Sequence, residues 1–217
     1  MLMTDRLSLK DKAYAIIRGK IISCEYRPGE FLNERELRNI IGASRTPIRE
    51  AFNKLEQEGF LVILPKRGVM VQNITLAEVN AIYEIRCMIE PFVVEKYGHL
   101  ISPSDIQIIL NRIAACSLDV NTFNEYDVDS DMHGMLLCAS RNPYIIDLMK
   151  KIFGQNHRLR ILSGQYLQYR LEETAQEHEM ILRYLLEKKY NKAAEAMRIH
   201  LENSRKASIE LLSGNIG

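Results

Sequence analysis

No long hydrophobic run occurs in this sequence. The longest aliphatic run, residues 60–64, is far shorter than the roughly 20 apolar residues that a membrane-spanning helix requires. The first residues are not followed by the apolar segment of a secretory signal. Neither a membrane protein nor a secreted protein is therefore expected, and we predict a cytoplasmic location.

Paired cysteines and glycine-rich phosphate loops are also missing. The four cysteines are scattered without C-x-x-C spacing, which favours reduced thiols over disulfides or a thiolate metal site. No phosphate-binding glycine loop and no evident pair of nucleophile and base occurs, so no motif points directly to an enzyme.

Charge of neither sign dominates the chain, but the distribution is uneven. Residues 1–74 contain 13 lysines and arginines against 9 acidic residues, whereas the remaining residues contain 16 against 19. A basic N-terminal part suits contact with nucleic acid through that part alone, although the excess is small.

The stretch Leu37–Phe60, together with the preceding residues 33–36, is predicted to form a helix-turn-helix. Asn33 with Glu36 forms a capping-box pattern, Gly42 ends the first helix, and Ser44 is a candidate cap for the second. At 100° per residue, the second helix has an apolar arc that consists of Ile48, Ala51, Phe52 and Leu55. A neighbouring polar arc consists of Arg45, Thr46, Arg49 and Asn53. The polar arc suits DNA, because arginines bind phosphates and guanine edges, while a merely solvated face is the alternative.

Two neighbouring features favour the DNA interpretation. Arg35 opens the preceding helix, and two hydrophobic runs flank the basic, glycine-ended segment 65–68. A hairpin of this kind directly after a helix-turn-helix is typical of a wing, which would bring Lys66 or Arg67 against the minor groove or the backbone. Residues 1–74 are therefore predicted to form a winged helix-turn-helix domain.

The same stretch resembles the GntR family of bacterial winged-helix transcription regulators. The resemblance is carried by R-P-G-E at 27–30, N-E-R-E-L at 33–37, S-R-T-P-I-R-E-A at 44–51 and L-E-Q-E-G-F at 55–60. Cys24 departs from the family, which usually has glycine at the end of the first helix. The resemblance implies that DNA is contacted by Arg35, Ser44, Arg45, Thr46, Arg49, Lys66, Arg67 and Gly68.

Residues 75–217 have a helical pattern throughout and are predicted to form a second domain. Thr75 with Glu78 makes another capping box, and no glycine- or serine-rich linker precedes it. About six helices are expected, at 75–100, 102–115, 121–139, 142–167, 172–189 and 191–213, packed as an antiparallel all-α bundle. In the helix predicted at 75–100, an apolar stripe is expected to face the core of the bundle: Ile82, Ile85, Met88, Ile89 and Phe92.

Three of the five histidines are predicted to face the interior of this bundle. His133 lies four residues after Asp129, so both project from one helix face, and His178 and His200 lie on the apolar stripes of their own helices. Three imidazoles and a carboxylate form a plausible site for zinc or another divalent transition metal. The alternative is a set of core histidines, each hydrogen-bonded to backbone or to a carboxylate.

This second domain resembles the FCD ligand-binding domain of the FadR-type branch of the GntR family, in its compact six-helix subgroup. Y-E-I-R at 83–86, D-S-D-M-H at 129–133, E-H at 177–178 and R-I-H-L at 198–201 stand in the family's order. The resemblance implies a small organic acid as effector and a bound divalent metal, zinc or nickel, with the ligands Asp129, His133, His178 and His200.

Arg86 has two interpretations. It can form a surface i,i+4 pair with Glu90, which contributes only a few tenths of a kcal/mol. It can instead clamp the carboxylate of an effector beside the metal, as members of this domain class do.

Together these patterns predict a homodimeric transcription regulator that binds double-stranded operator DNA. A small carboxylate at the metal site would change its operator affinity. Two alternatives stay open: a metal-dependent hydrolase in which the bundle metal activates water, and a regulator whose signal is the metal itself.

Overall fold

The computed structural model describes residues 8–116, 122–166 and 169–214, apart from the side chains of 122–126, 163–166 and 169. The chain divides into two compact units, Met1–Ile74 and Thr75–Gly217.

The first unit is a winged helix-turn-helix, as predicted. Its elements are α1 Leu9–Ile22, β1 Phe31–Leu32, α2 Glu34–Ile41, α3 Arg45–Gln57, β2 Leu61–Leu64 and β3 Gly68–Val71. β2 and β3 form the antiparallel hairpin of the wing, and β1 pairs antiparallel with the other edge of β3. The two-residue strand β1 was not predicted, because a pair of residues carries no detectable alternation.

The ends of the helices in this unit follow the local sequence signals, with one exception. Asn33 Oδ1 accepts hydrogen bonds from the backbone N–H groups of Arg35 and Glu36, and Gly42 ends α2 in the left-handed region at φ 69°. Cys24 is left-handed as well, at φ 57°, which is the conformation that glycine adopts most readily. The predicted cap by Ser44 is wrong in one respect: Ser44 occupies the N-cap position of α3, but its side chain makes no cap hydrogen bond.

The core of the first unit is formed by the inner faces of α1, α2 and α3 against the sheet. The predicted apolar arc of α3 is fully buried, and α1 contributes Ala13, Ile17 and Ile21 to the same cluster. Burying one arc of α3 leaves its neighbouring polar arc on the surface.

The second unit is all-helical, with six α-helices within the described residues. They are α4 Leu76–Tyr97, α5 Pro103–Cys116, α6 Thr122–Cys138, α7 Pro143–Tyr166, α8 Tyr169–Leu186 and α9 Tyr190–Leu212, and a 3-10 turn follows α4 at Gly98–Leu100. Thr75 caps α4 by accepting from the N–H of Glu78, as the capping box predicted. α9 packs against α4, α7 and α8, which makes it central to the bundle. No helix in the described part of the chain is long and apolar enough to cross a membrane.

The predicted core stripe of α4 is partly wrong. Ile82 is buried, but Met88 is 68% exposed and Phe92 is 46% exposed. The buried face of α4 instead includes the polar residues Arg86 and Glu90. The buried arc of α4 is therefore rotated away from the one that hydrophobicity alone predicts. Arg86 and Glu90 can occupy it because their charges neutralise each other inside the bundle.

Candidate metal centre and nucleic-acid interface

The four predicted metal ligands converge inside the helical bundle. α6 carries Asp129 and His133, α8 carries His178 and α9 carries His200, and all four side chains are buried. One nitrogen or oxygen atom of each lies within 4.8 Å of the corresponding atom of every other. Residues up to 71 positions apart in sequence therefore share one small volume.

Three of the distances between these atoms lie near the spacing of ligands around a transition-metal ion. His178 Nε2 lies 3.3 Å from His200 Nε2 and 3.6 Å from Asp129 Oδ1. His133 Nε2 lies 3.9 Å from the same Asp129 oxygen. Tetrahedral bonds of 2.0–2.1 Å separate neighbouring ligand atoms by about 3.4 Å. The donor set and its spacing thus fit zinc or a similar divalent ion.

Two carboxylates, the buried Glu90 and the partly buried Glu177, orient the histidine rings. Glu90 Oε2 lies 2.5 Å from His133 Nδ1, and Glu177 Oε2 lies 2.7 Å from His200 Nδ1. A carboxylate bonded to Nδ1 leaves Nε2 facing the interior, and histidines that bind metals commonly have such a carboxylate on their other ring nitrogen.

Asp129 is held in one orientation by Arg160 of α7. The Arg160 guanidinium donates to Asp129 Oδ2, so Oδ1 is the oxygen that faces the histidines. Burial alone would raise the pKa of Asp129, but Arg160 and the nearby imidazoles outweigh it and hold this pKa well below its ordinary value. The carboxylate is therefore ionised, which is the form that binds a cation.

Burial lowers the pKa values of two of the histidines, His178 and His200. Desolvation, reinforced by the neighbouring His200, lowers the pKa of His178 well below its usual value. Desolvation also lowers the pKa of His200, against the opposing effect of its hydrogen bond to Glu177. Neutral imidazoles at neutral pH are the form in which histidine coordinates a metal.

Arg86 lies beside the centre, and its surface interpretation is wrong. Arg86 and Glu90 are only 1% and 2% exposed, with Arg86 Nε 2.6 Å from Glu90 Oε1. The Nη2 atom of Arg86 is also within 3.4–3.5 Å of both ring nitrogens of His133. Burial raises the pKa of Glu90 by itself, but Arg86 and His133 together lower it to about 2. The pair is thus an ionised part of the interior cluster.

Sequence reasoning missed the supporting residues of the centre. Glu90 was considered only as a partner of Arg86, and Arg160 and the His200 contact of Glu177 were not anticipated. Arg160 contacts a residue 31 positions away, and Glu177 one 23 positions away. No periodicity within one helix predicts such contacts, because they depend on how separate helices pack.

The first unit exposes the residues that were predicted to meet DNA. The side chains of Arg45 and Arg49 are 65% and 61% exposed. Both lie near Glu34, whose Oε1 is 2.7 Å from Arg45 Nε and whose Oε2 is 4.0 Å from Arg49 Nε. Arg35, Ser44 and Thr46 are exposed as well. A cationic helix face is therefore presented to solvent.

The wing tip is a three-residue loop between Leu64 and Gly68, which face each other across the hairpin. Lys66 adopts a left-handed conformation at φ 63°, and Lys66, Arg67 and Gly68 are all exposed. The exposed cations of the tip can reach a phosphate or a groove.

Comparison with known families matches both units. Residues 9–71 match the model described as bacterial regulatory proteins, gntR family, and residues 81–203 match the FCD domain. Together these segments cover most of the chain.

Individual relatives agree with this assignment. The chain is 28% identical to the HTH-type transcriptional regulator YdhC of Bacillus subtilis, covering 83% of this chain and 81% of YdhC. It is 29% identical to the HTH-type transcriptional repressor RspR of Escherichia coli, covering 73% and 71%. The crystal structure of a GntR transcriptional regulator from Rhodococcus sp. RHA1 superposes with a TM-score of 0.82 at 20% identity, covering 94% and 97%. At that identity, the structural likeness shows a shared fold.

Proposed function

Because the chain belongs to the gntR family of bacterial regulatory proteins and carries an FCD domain, we propose that it regulates transcription in response to a small carboxylate bound at a divalent-metal centre. That it is a DNA-binding transcription regulator, and not an enzyme, follows from the two families. The observation that carries the sensing half of the proposal is the convergence of Asp129 and three histidines.

The proposed DNA contacts come from the exposed face of α3, the start of α2 and the wing tip. The residues are Arg35, Ser44, Arg45, Thr46, Arg49, Lys66, Arg67 and Gly68. Support comes from their exposure and from the positive N-terminal end of α3, which attracts phosphate. Glu34 would have to release Arg45 when a phosphate or a base takes its place.

Arg45→Ala and Arg49→Ala test the DNA contacts. Each change is expected to weaken operator binding by about 1–3 kcal/mol without changing the melting temperature, because both side chains lie in solvent. The measurement is a gel-shift titration at fixed salt, with Arg198→Ala, an exposed arginine of α9, as control. Unchanged operator affinity in both variants would overturn the assignment.

We assign the metal to Asp129 Oδ1 and the Nε2 atoms of the three histidines. When bound, the ion would supply a positive charge and, where its geometry allows, coordination positions for a ligand. Four protein ligands complete a tetrahedral shell, as zinc prefers, but leave two positions of an octahedral one, as for nickel. Effector binding on the metal therefore favours an ion that accepts more than four ligands. Arg86, a buried cation beside His133, is the proposed charge partner of the acid.

Elemental analysis tests the metal assignment. We expect about one divalent ion per chain in purified protein and almost none in Asp129→Ala. Asp131→Ala is the matched control, since Asp131 is exposed on the same helix and pairs with Arg112. The assignment would be contradicted if fully folded wild-type protein contained no metal and took up neither zinc nor nickel on titration.

Operator affinity distinguishes effector sensing from metal sensing. A ligand shifts an equilibrium between two states of a protein only if it binds those states with different affinities. If the acid is the signal, it must therefore change the operator affinity of the metal-loaded protein. If metal alone produces the full change and acids add nothing, the metal itself is the signal.

We also propose a homodimer, because α4 and α7 expose a common apolar patch. Ile85, Ile89, Ile145 and Ile152 border one small core cluster while remaining partly exposed. The outer members of the patch are the exposed residues Met88, Phe92 and Leu148. Exposed apolar patches of this kind mark interfaces, and a two-fold dimer would present two DNA-binding units to a near-palindromic operator. We further propose that the regulator is cytoplasmic and acts by repression, since the related RspR is named a transcriptional repressor.

A further inference from the structure

Asn156 on α7 is a buried side chain whose polar atoms are unsatisfied. It is 1% exposed, and neither Nδ2 nor Oδ1 has a hydrogen-bond partner within the described part of the chain. Buried polar atoms are almost always paired in native proteins, because leaving them unpaired is costly. A buried amide that no protein group satisfies is well suited to bind a polar ligand.

Helical spacing places Asn156 on the face of α7 that borders the metal centre. Phe153, three residues earlier, packs against the His133 ring with the ring centroids 5.9 Å apart. Arg160, four residues later, contacts Asp129. Residues separated by three and four positions share one side of a helix, so Asn156 lies between two side chains that both touch the centre.

The charges around the centre favour an anion once a metal is bound. Arg86 is paired with Glu90 and Arg160 with Asp129, so these four groups cancel. A divalent ion would give this set of groups two excess positive charges, which an anionic ligand can offset.

The Asn156 amide places a second requirement on the ligand, in addition to negative charge. Its Nδ2 is a donor that needs an acceptor, and its Oδ1 is an acceptor that needs a donor. A carboxylate offers acceptors alone, whereas a 2-hydroxy acid such as glycolate offers a carboxylate and a hydroxyl donor on adjacent carbons. A hydroxy acid can therefore satisfy both polar ends of the side chain.

We propose that Asn156 binds the effector directly, and that the effector is a hydroxycarboxylate whose carboxylate accepts from Nδ2 and whose hydroxyl donates to Oδ1. The assignment rests on the proposed metal-linked function and adds a binding residue and a ligand class to it. Wild-type protein should accordingly prefer glycolate to acetate, since the two acids differ only in the hydroxyl.

The experiment is calorimetric titration of metal-loaded full-length protein with glycolate and with acetate. Asn156→Leu removes both polar ends and keeps the number and branching of the side-chain heavy atoms. It should bind glycolate at least about 10-fold more weakly than wild type and lose the preference for glycolate over acetate. Asn156→Ala provides the same comparison if the leucine variant does not fold. Met149→Leu, a buried apolar change on the same helix, should bind glycolate like wild type.

Metal affinity, measured by competition with a chromogenic chelator, separates the outcomes. Metal affinity close to wild type in both Asn156 variants, with weaker glycolate binding, supports the assignment. Loss of metal would show that Asn156 maintains the centre and would overturn its role in ligand binding. Glycolate binding equal to wild type would overturn the Asn156 assignment alone, and equal affinity of wild type for both acids would overturn the hydroxy-acid class. If metal-loaded wild type binds neither acid, the proposed effector class fails together with this assignment.

Discussion

At the scale of single residues, Glu177 connects the metal centre to the surface of the bundle. One of its oxygens accepts from Asn203 Nδ2 at 2.8 Å, and the other lies 2.7 Å from His200 Nδ1. Arg170 donates to both oxygens, at 2.9 and 2.5 Å. Desolvation by itself raises the pKa of Glu177, but the bonds to His200 and Arg170 lower it to about 2. A fully paired, ionised carboxylate holds the imidazole in one orientation.

Glu177→Gln should weaken metal binding by roughly 10- to 100-fold, the usual effect of losing a carboxylate that is hydrogen-bonded to a metal-binding histidine. The reason is that an amide orients His200 less firmly and makes its Nε2 less basic. Competition titration with a chelator measures the effect. Glu173→Gln is the matched control, because Glu173 also binds Arg170, at 3.1 Å, but is not bonded to His200. Equal metal affinities of the two variants would contradict this role.

At the scale of elements, the turn between α2 and α3 decides where Arg45 begins its helix. Gly42 ends α2 in the left-handed region and is followed within two residues by the N-cap position of α3. A Cβ added at Gly42 would meet no atom within 4 Å, so a substitution there would be opposed by backbone conformation alone. Backbone strain and steric overlap can therefore be separated at this position.

Gly42→Ala should destabilise the first unit by about 1 kcal/mol, because φ 69° is unfavourable for alanine. Gly19→Ala provides the opposite case. Gly19 lies inside α1 with no atom within 4 Å of the added Cβ, and alanine should stabilise that helix by about 0.5–1 kcal/mol. Native-state hydrogen exchange at amides of α1 and α3 measures both changes, since it reports opening of this unit alone. Changes of the same sign would contradict the conformational argument.

At the scale of the whole molecule, the two faces of α4 have different roles. One face buries an ionised Arg86–Glu90 pair next to the histidines. The other exposes Met88 and Phe92, which a monomer would leave in water. In the proposed dimer, one helix would thus contribute both to the sensing site and to the subunit interface.

Met88→Lys is expected to convert the proposed dimer to monomer and to weaken operator binding, because it places a charge in an apolar interface. Sedimentation velocity measures the assembly state. Met180→Lys is the matched control, since Met180 is 52% exposed on α8, outside the proposed interface. A dimer that persists in Met88→Lys while the melting temperature is unchanged would place the interface elsewhere.

Local signals in the sequence were sufficient for the presence of the helices, the wing and the exposed arc of α3, whereas the ends of some helices differ, as for α8, predicted at 172–189 and observed at Tyr169–Leu186. Helix periodicity and capping act over three or four residues, so they can be read without knowledge of the fold. They were also sufficient to select Asp129 and His133 as neighbours on one helix.

Only the tertiary structure decided which charged residues are buried. Arg86 and Glu90 have the spacing of an ordinary surface pair, and nothing near Asn156 in sequence reveals that its amide is unsatisfied. The burial of a charge depends on a partner from another helix, as in the contact of Glu90 with His133, 43 positions away. A buried charge is stable only when such a partner is present, and helix packing alone brings the two together.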